Sequence, residues 1–324
     1  MKANINLIAE KCGVSKATVS RVFNRRAGVS NSVKEQILHF AREMNYMPKQ
    51  VAAQENIAIV VDSMNKFRAL DGFYLMLVIA IITEFTRFGY QVRTVELKDV
   101  ELLGPHTKAA ILIIDEKKLE LEEARFRKLP IPLLAVNLKS QYCHLVRSDH
   151  AQGIELATEH LIENGHKRIT LLLDRIDIWA GHERLRGYVE TMTKHSLQPL
   201  KEYVYYPKKQ SLVELIAILL KDHPTALIIS GESLTAEAAY CLNLLNVRIP
   251  EDLSVIGYEK DELSRWLSPP QTTIDQDVFA IADEMLELIR QVTQKTSNKE
   301  LSFQIKMLPN RLIIRDSVKN LFKA

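Results

Sequence analysis

The chain has 324 residues, 47% hydrophobic and 26% charged, with a formal net charge of +3. That length exceeds one small core and implies two or three domains, and the composition is that of a globular protein rather than a disordered or fibrous one. The longest apolar run, Phe73 to Ile82, is too short to span a bilayer, and no cationic start with an apolar signal region opens the chain, so a cytoplasmic protein without a membrane partner is expected.

The charge is unevenly placed. Residues 1–55 carry nine Lys/Arg against four Glu, or +5, which leaves −2 on the rest. A small basic domain on a near-neutral body is the electrostatic footprint of a DNA reader. Its elements fit that role. Asn4 can cap a first helix with Ile5, Ile8, Ala9 and Cys12 at helical spacing. Gly13 permits a left-handed turn, and Ser15 can cap the next helix. On that helix Val19 and Val22 face inward, while Lys16, Ala17, Thr18, Ser20, Arg21 and Asn24 lie on other faces, where cationic and short polar groups suit phosphates and base edges. Val29-Ser30 opens a third helix with Val33, Ile37, Phe40, Ala41 and Met44 inside. An ordinary helical hairpin would fit the Gly-centred pair alone; three short helices with a polar second one read as a helix-turn-helix.

Strands and helices alternate from residue 57. The pattern predicts strands at 57–62, 91–97, 109–114 and 132–136 with a helix at 72–88, then a second series. That series has strands at 168–173, 203–206, 225–230, 254–258, 304–308 and 312–314, and helices at 151–164, 183–195, 212–220, 235–245 and 278–294. The fold class expected is an all-α helix-turn-helix headpiece on an α/β body of two Rossmann-like lobes, with a ligand cleft between them at the carboxyl ends of strands such as those ending in Asp62, Asp115 and Asn137. No Gly-x-Gly-x-x-Gly follows a strand, so no dinucleotide is implied. Cys12, Cys143 and Cys241 lack metal-ligand spacing and read as reduced thiols. Among the nine histidines, His144, His150, His160, His166 and His182 form no helical ligand pair with a third ligand in view. No Gly-x-Ser-x-Gly occurs, and Ser230-Gly231-Glu232-Ser233 lacks a nucleophile elbow. Neither a cofactor, a metal nor a catalytic residue is expected.

Ala9-Glu10-Lys11-Cys12-Gly13-Val14-Ser15 with Thr18-Val19-Ser20-Arg21-Val22, Asn24, Val29-Ser30 and Asn45-Tyr46-Met47-Pro48 resembles the LacI/GalR family of bacterial repressors. The likeness continues in Ser148-Asp149-His150, Glu159 to Ile169, Arg184-Leu185-Arg186-Gly187-Tyr188, Ile249 to Tyr258, Pro269 to Ile274 and Arg315-Asp316-Ser317. It implies a headpiece at 1–48, a hinge link at 49–56 and an effector-binding and dimerisation body at 57–324. The body divides into lobe 1 at about 57–148 and 276–306 and lobe 2 at about 149–275 and 307–324, in the manner of periplasmic binding proteins. It also implies a homodimer on double-stranded operator DNA, controlled by a small polar effector such as a carbohydrate. With no heptad tail after Arg315-Asp316-Ser317, a dimer is expected rather than a tetramer. Lys16, Ala17 and Arg21 become base readers, and Ser15, Thr18, Ser20, Asn24, Ser30, Tyr46 and Ala52 become further DNA contacts. The link is shorter than the family's pattern and places Glu55 at the intercalating leucine's position; a glutamate cannot wedge between bases.

Arg184 is implied to bind effector oxygens, against the plain alternative of a surface arginine in a helix's first turn. Glu232 and Glu259 stand at positions where aspartates are usual, and Gly231 stands where an asparagine is common. Trp179 and Trp266 can stack on a sugar or pack in core or rim. Asp149 reads as the cap of the following helix. A solute-binding protein without DNA function is the alternative, opposed by the basic headpiece.

Overall fold

The computed structural model describes residues 5–23, 29–43, 56–63, 72–103, 107–207, 209–231, 234–258, 261–294 and 303–322. The first three helices are α1 (Ile5–Lys11), α2 (Lys16–Phe23) and α3 (Asn31–Glu43). Their spacing of apolar residues closes a small core of Ile8, Ala9, Cys12, Val19, Val22 and Ile37. Gly13 turns the chain between α1 and α2 at φ +62°, and the Ser15 hydroxyl accepts the Thr18 N–H at 3.1 Å, so α2 starts where its cap predicts.

The body contains two six-stranded sheets. The elements of its first half are β1 (Asn56–Val61), α4 (Gly72–Arg87), β2 (Gln91–Glu96), β3 (Thr107–Ile113), α5 (Glu116–Leu121), α6 (Glu123–Phe126), β4 (Leu133–Val136) and β5 (His144–Ser148). They continue as α7 (His150–Glu163), β6 (Ile169–Leu173), α8 (Trp179–Lys194), β7 (Tyr203–Val204), α9 (Leu212–Leu219), β8 (Ala226–Ser230), α10 (Leu234–Leu244), β9 (Ser254–Gly257), α11 (Asp261–Ser264), β10 (Thr272–Asp275), α12 (Val278–Gln294), β11 (Ile305–Leu308) and β12 (Arg311–Ile313).

The first sheet runs β11-β5-β4-β3-β1-β2, all parallel, and the second β12-β10-β9-β8-β6-β7, with β12 antiparallel to β10. Near-continuous apolar strands such as Ile57–Val61 and Ile169–Leu173 need both faces covered. In lobe 1, α4 and α12 cover one face, and Leu119, Phe126 and Tyr142 lie in the core on the other. In lobe 2, α7 and α8 cover one face and α9 and α10 the other. The chain passes between the sheets three times, after β5, β10 and β11. Hydrogen bonds lace the crossings together: Asp149 N–H donates to Leu308 O at 2.8 Å, Asn310 Nδ2 donates to Asp149 O at 2.6 Å, and Asn137 Nδ2 donates to Gln276 Oε1 at 3.1 Å.

Several element boundaries differ from the sequence reading. Strands β5 and β10 and helices α5 and α6 carry no strong periodicity of their own and were not expected. Helix α8 begins at Trp179, not at residue 183; its N-cap is Ile178, with no side-chain cap to mark it. Of the apolar run at 73–82, Phe73, Leu77, Val78, Ala80 and Ile81 are buried, while Leu75, Ile79 and Ile82 face outward.

Candidate functional site: an interlobe cluster and a cationic helix face

On α2, Val19 and Val22 point into the headpiece core, so Lys16, Ala17 and Arg21 are left exposed and Thr18 and Ser20 half-buried. Ser15 is exposed, and its hydroxyl lies 2.9 Å from that of Thr18. Ser30 is also exposed: its carbonyl accepts the Lys34 N–H at 3.0 Å, and its hydroxyl is 3.2 Å from that of Ser32 at the start of α3. Asn24, Tyr46, Ala52 and Glu55 lie outside the described residues.

Between the lobes, aromatic and cationic side chains form one cluster. Arg184 is on the second turn of α8 and only 4% exposed, unlike a surface arginine of a first turn. Its guanidinium lies over the Tyr258 ring at 4.6 Å, and its Nη1 is 3.6 Å from Asp174 Oδ1. The Tyr258 hydroxyl is 2.8 Å from His150 Nδ1, and His150 meets Trp179 edge-on at 5.5 Å between ring centres. The Arg147 guanidinium, from lobe 1, covers the Trp179 ring at 4.3 Å and donates twice to Leu138 O. Burial, with Arg184 and Arg147 nearby, holds the His150 pKa well below its ordinary value, so the ring is neutral. Burial also pushes the Tyr258 phenol pKa upward.

The carboxylate of Glu116 joins the lobes, accepting the Lys139 N–H of lobe 1 and the Trp179 N–H of lobe 2, each at 3.0 Å. It thereby supplies the acceptor for the start of α8 that no local cap provides. Beside it, Asp115 pairs with Arg175 and Lys117 with Asp177, again between lobe 1 and lobe 2. Hydrogen bonds from Arg175, then Lys117, hold the Asp177 carboxyl below the usual range.

Trp179 and Arg184 are therefore brought together. Trp266 is not: it is 83% exposed on the turn after α11, whose Ser268 and Pro269 line a surface hollow with Ala239 and Asn243 of α10. Glu232 and Glu259 lie outside the described residues. Asp149 caps α7, its carboxylate accepting the Gln152 N–H at 3.0 Å. Sequence reading missed Glu116, Arg147, His150, Asp174 and Tyr258 as members of the cluster. Asp174 and Tyr258 follow β6 and β9 directly, so their place at carboxyl strand ends could have flagged them. Among the described residues no group of three or more His, Cys, Asp or Glu could hold a metal ion, and no helix is long and apolar enough to cross a membrane.

A helix-turn-helix headpiece on a two-lobed body of the periplasmic-binding type defines a DNA-binding transcriptional regulator. Comparison with known proteins agrees. Residues 4–49 match the family described as bacterial regulatory proteins, lacI family, and residues 158–318 match the periplasmic binding protein-like domain. The chain thus carries a lacI-family DNA-binding domain followed by a periplasmic binding protein-like domain. It is 25% identical over 345 residues to the HTH-type transcriptional repressor PurR of Mannheimia succiniciproducens, covering 98% of this chain and 99% of that one. It is 27% identical over 339 residues to the NTD biosynthesis operon regulator NtdR of Bacillus subtilis, covering 97% and 99%. Among solved structures, the Lac repressor bound to ONPG in the repressed state is 25% identical with TM-score 0.74, covering 98% and 100% of the two chains. The complex of the transcriptional regulator CelR with cellobiose shares the fold at 23% identity and TM-score 0.68, covering 97% and 99%.

Proposed function

We propose that the chain is a cytoplasmic repressor that binds a pseudo-palindromic operator as a homodimer and exchanges DNA affinity for occupancy of the interlobe cleft by a carbohydrate. The division into a headpiece at 1–48, a link at 49–56 and a body at 57–324 is part of this reading. The observation that carries it is the outward face of α2, where Lys16, Ala17 and Arg21 project from a helix whose other side is locked into the headpiece core. Lys16 and Arg21 suit guanine acceptors and Ala17 a thymine methyl, while Ser15, Thr18, Ser20 and Ser30 suit phosphate. Asn24, Tyr46 and Ala52 complete the contact set by family position. Between the lobes, Arg184 donates to effector oxygens and Trp179 offers a ring close by, and by family position Glu232 and Glu259 are assigned as acceptors. The site binds and performs no catalysis.

Two exposed apolar patches support pairing of two copies. Leu75, Ile79 and Ile82 recur on one exposed face of α4 in lobe 1, and Phe279 of α12, the helix that packs with α4, is exposed as well. In lobe 2, Tyr240 and Leu244 of α10, Leu263 of α11 and Trp266 are likewise exposed, and we propose that Trp266 serves association rather than the effector site. Apolar patches on both lobes would let a change in lobe angle reset the headpiece spacing. The test is selection from random duplex DNA by the full chain, repeated with a panel of neutral sugars. Enrichment of one two-half-site sequence, altered by at least one sugar, is expected. Recovery of no sequence above the starting pool would overturn the reading.

A further inference from the structure

Asp174 and Gly231 follow the neighbouring parallel strands β6 and β8, and they compete for one space. A Cβ built on Gly231 would lie 2.5 Å from Asp174 Cβ and 2.7 Å from its Cγ, so the carboxylate sits where a side chain at 231 would stand. The backbone fixes it there: the Asp174 N–H donates to Ser230 O at 3.2 Å, and Asp174 Oδ1 accepts the Arg175 N–H at 2.8 Å. The same Oδ1 lies 3.6 Å from Arg184 Nη1, beyond hydrogen-bond reach but close enough to neutralise the guanidinium. Arg184 is nine-tenths buried, and its Nε has no hydrogen-bond partner among the described residues. The other buried guanidinium of the cluster, Arg147, feels the Glu116 and Glu183 carboxylates.

We infer that Asp174 is a specificity-determining residue of the effector site, and that with Gly231 it selects an uncharged polyhydroxylated ligand against a phosphorylated or carboxylated one. This rests on the reading of the cleft as an effector site. A carboxylate beside a donor-bearing guanidinium matches adjacent hydroxyls, one donating to Asp174 and its neighbour accepting from Arg184. A phosphate reaching Arg184 meets the Asp174 charge at contact distance in a partly desolvated site, and Asp174 cannot retreat into the side chain space of residue 231 because it already fills it. Gly231, in place of the family's common asparagine, is what makes room for the acid.

The test uses the full-length protein and two variants, Asp174→Asn and Asp174→Ser, so that misfolding of one leaves the other. Melting temperature is measured against inorganic phosphate at constant ionic strength, with chloride as control. Both variants should gain a saturable phosphate-dependent rise, with an apparent affinity at least about tenfold above wild type. Equal responses in wild type and variants, including none in any, overturn the inference. So does a sugar phosphate that stabilises the wild type more than its parent sugar. Operator binding is measured in parallel: its loss in the wild type counts against the regulator reading, whereas phosphate responses alone decide the role of Asp174.

Discussion

The proposed recognition events can each be tested one side chain at a time. On the headpiece, Arg21 is exposed on a helix whose partners Val19 and Val22 are buried, so its removal leaves the fold intact. Arg21→Ala should weaken specific duplex binding by about 1–3 kcal/mol and relax discrimination at one base position, read by gel-shift titration against single-base variants of the selected site. In the cleft, His150 is the residue whose protonation matters. It is enclosed by Tyr258, Trp179, Arg184 and Arg147, and its pKa is lowered well below 6.5. The unfolded chain binds that proton below about pH 6.5 while the folded chain refuses it, so this contribution to stability is full above pH 6.5 and is lost as pH falls. The melting temperature should drop between neutral pH and about pH 5, and His150→Gln should flatten the drop. An unchanged slope would show that His150 is not the group responsible. Arg184 was legible in the sequence because the Arg-Leu-Arg-Gly-Tyr run fixes its position. Its burial was not, since that follows from α8 starting four residues earlier than its local signals suggest.

At the level of elements, the sequence revealed what has period. Apolar strands and amphipathic helices such as α12 fall within two residues of their expected bounds, α8 excepted. Strand β5 was not, because His144-Leu145-Val146-Arg147-Ser148 mixes polar and apolar residues. All five residues are buried, their polar groups finding partners only in the tertiary structure: the Arg147 guanidinium donates to Leu138 O, and the Ser148 backbone N–H donates to Asn137 Oδ1 at 2.8 Å. The onset of α8 fails for the same reason, its first N–H being satisfied by Glu116 from the other lobe. Helix α4 carries a further consequence. Its outward Leu75, Ile79 and Ile82 are the face expected to meet a second copy. Ile79→Glu should leave the monomer folded and shift the species seen by analytical ultracentrifugation from dimer to monomer; a dimer unchanged in sedimentation would place the interface elsewhere.

For the whole molecule, the proposed coupling between effector and operator depends on the contacts between the lobes. Glu116 and the pairs Asp115–Arg175 and Lys117–Asp177 bridge the two lobes. The Asp115, Lys117, Arg175 and Asp177 side chains are a third or more exposed, so each pair contributes less than about 1 kcal/mol and is screened by salt. Arg175→Asp should open the lobes, seen as a larger radius of gyration in small-angle scattering, and Asp115→Arg in the same chain should restore the closed form. The two-lobe plan was legible from alternating strands and helices; this clamp was not, because its partners are sixty residues apart and only the fold joins them. Sequence reading by the basic headpiece is the property that most directly defines the molecule proposed here. Fluorescence anisotropy at moderate salt should show the full chain binding a duplex selected from random DNA about a thousandfold or more tighter than a base-scrambled duplex of equal length. Equal affinity for the two duplexes, with the same salt dependence, would contradict it.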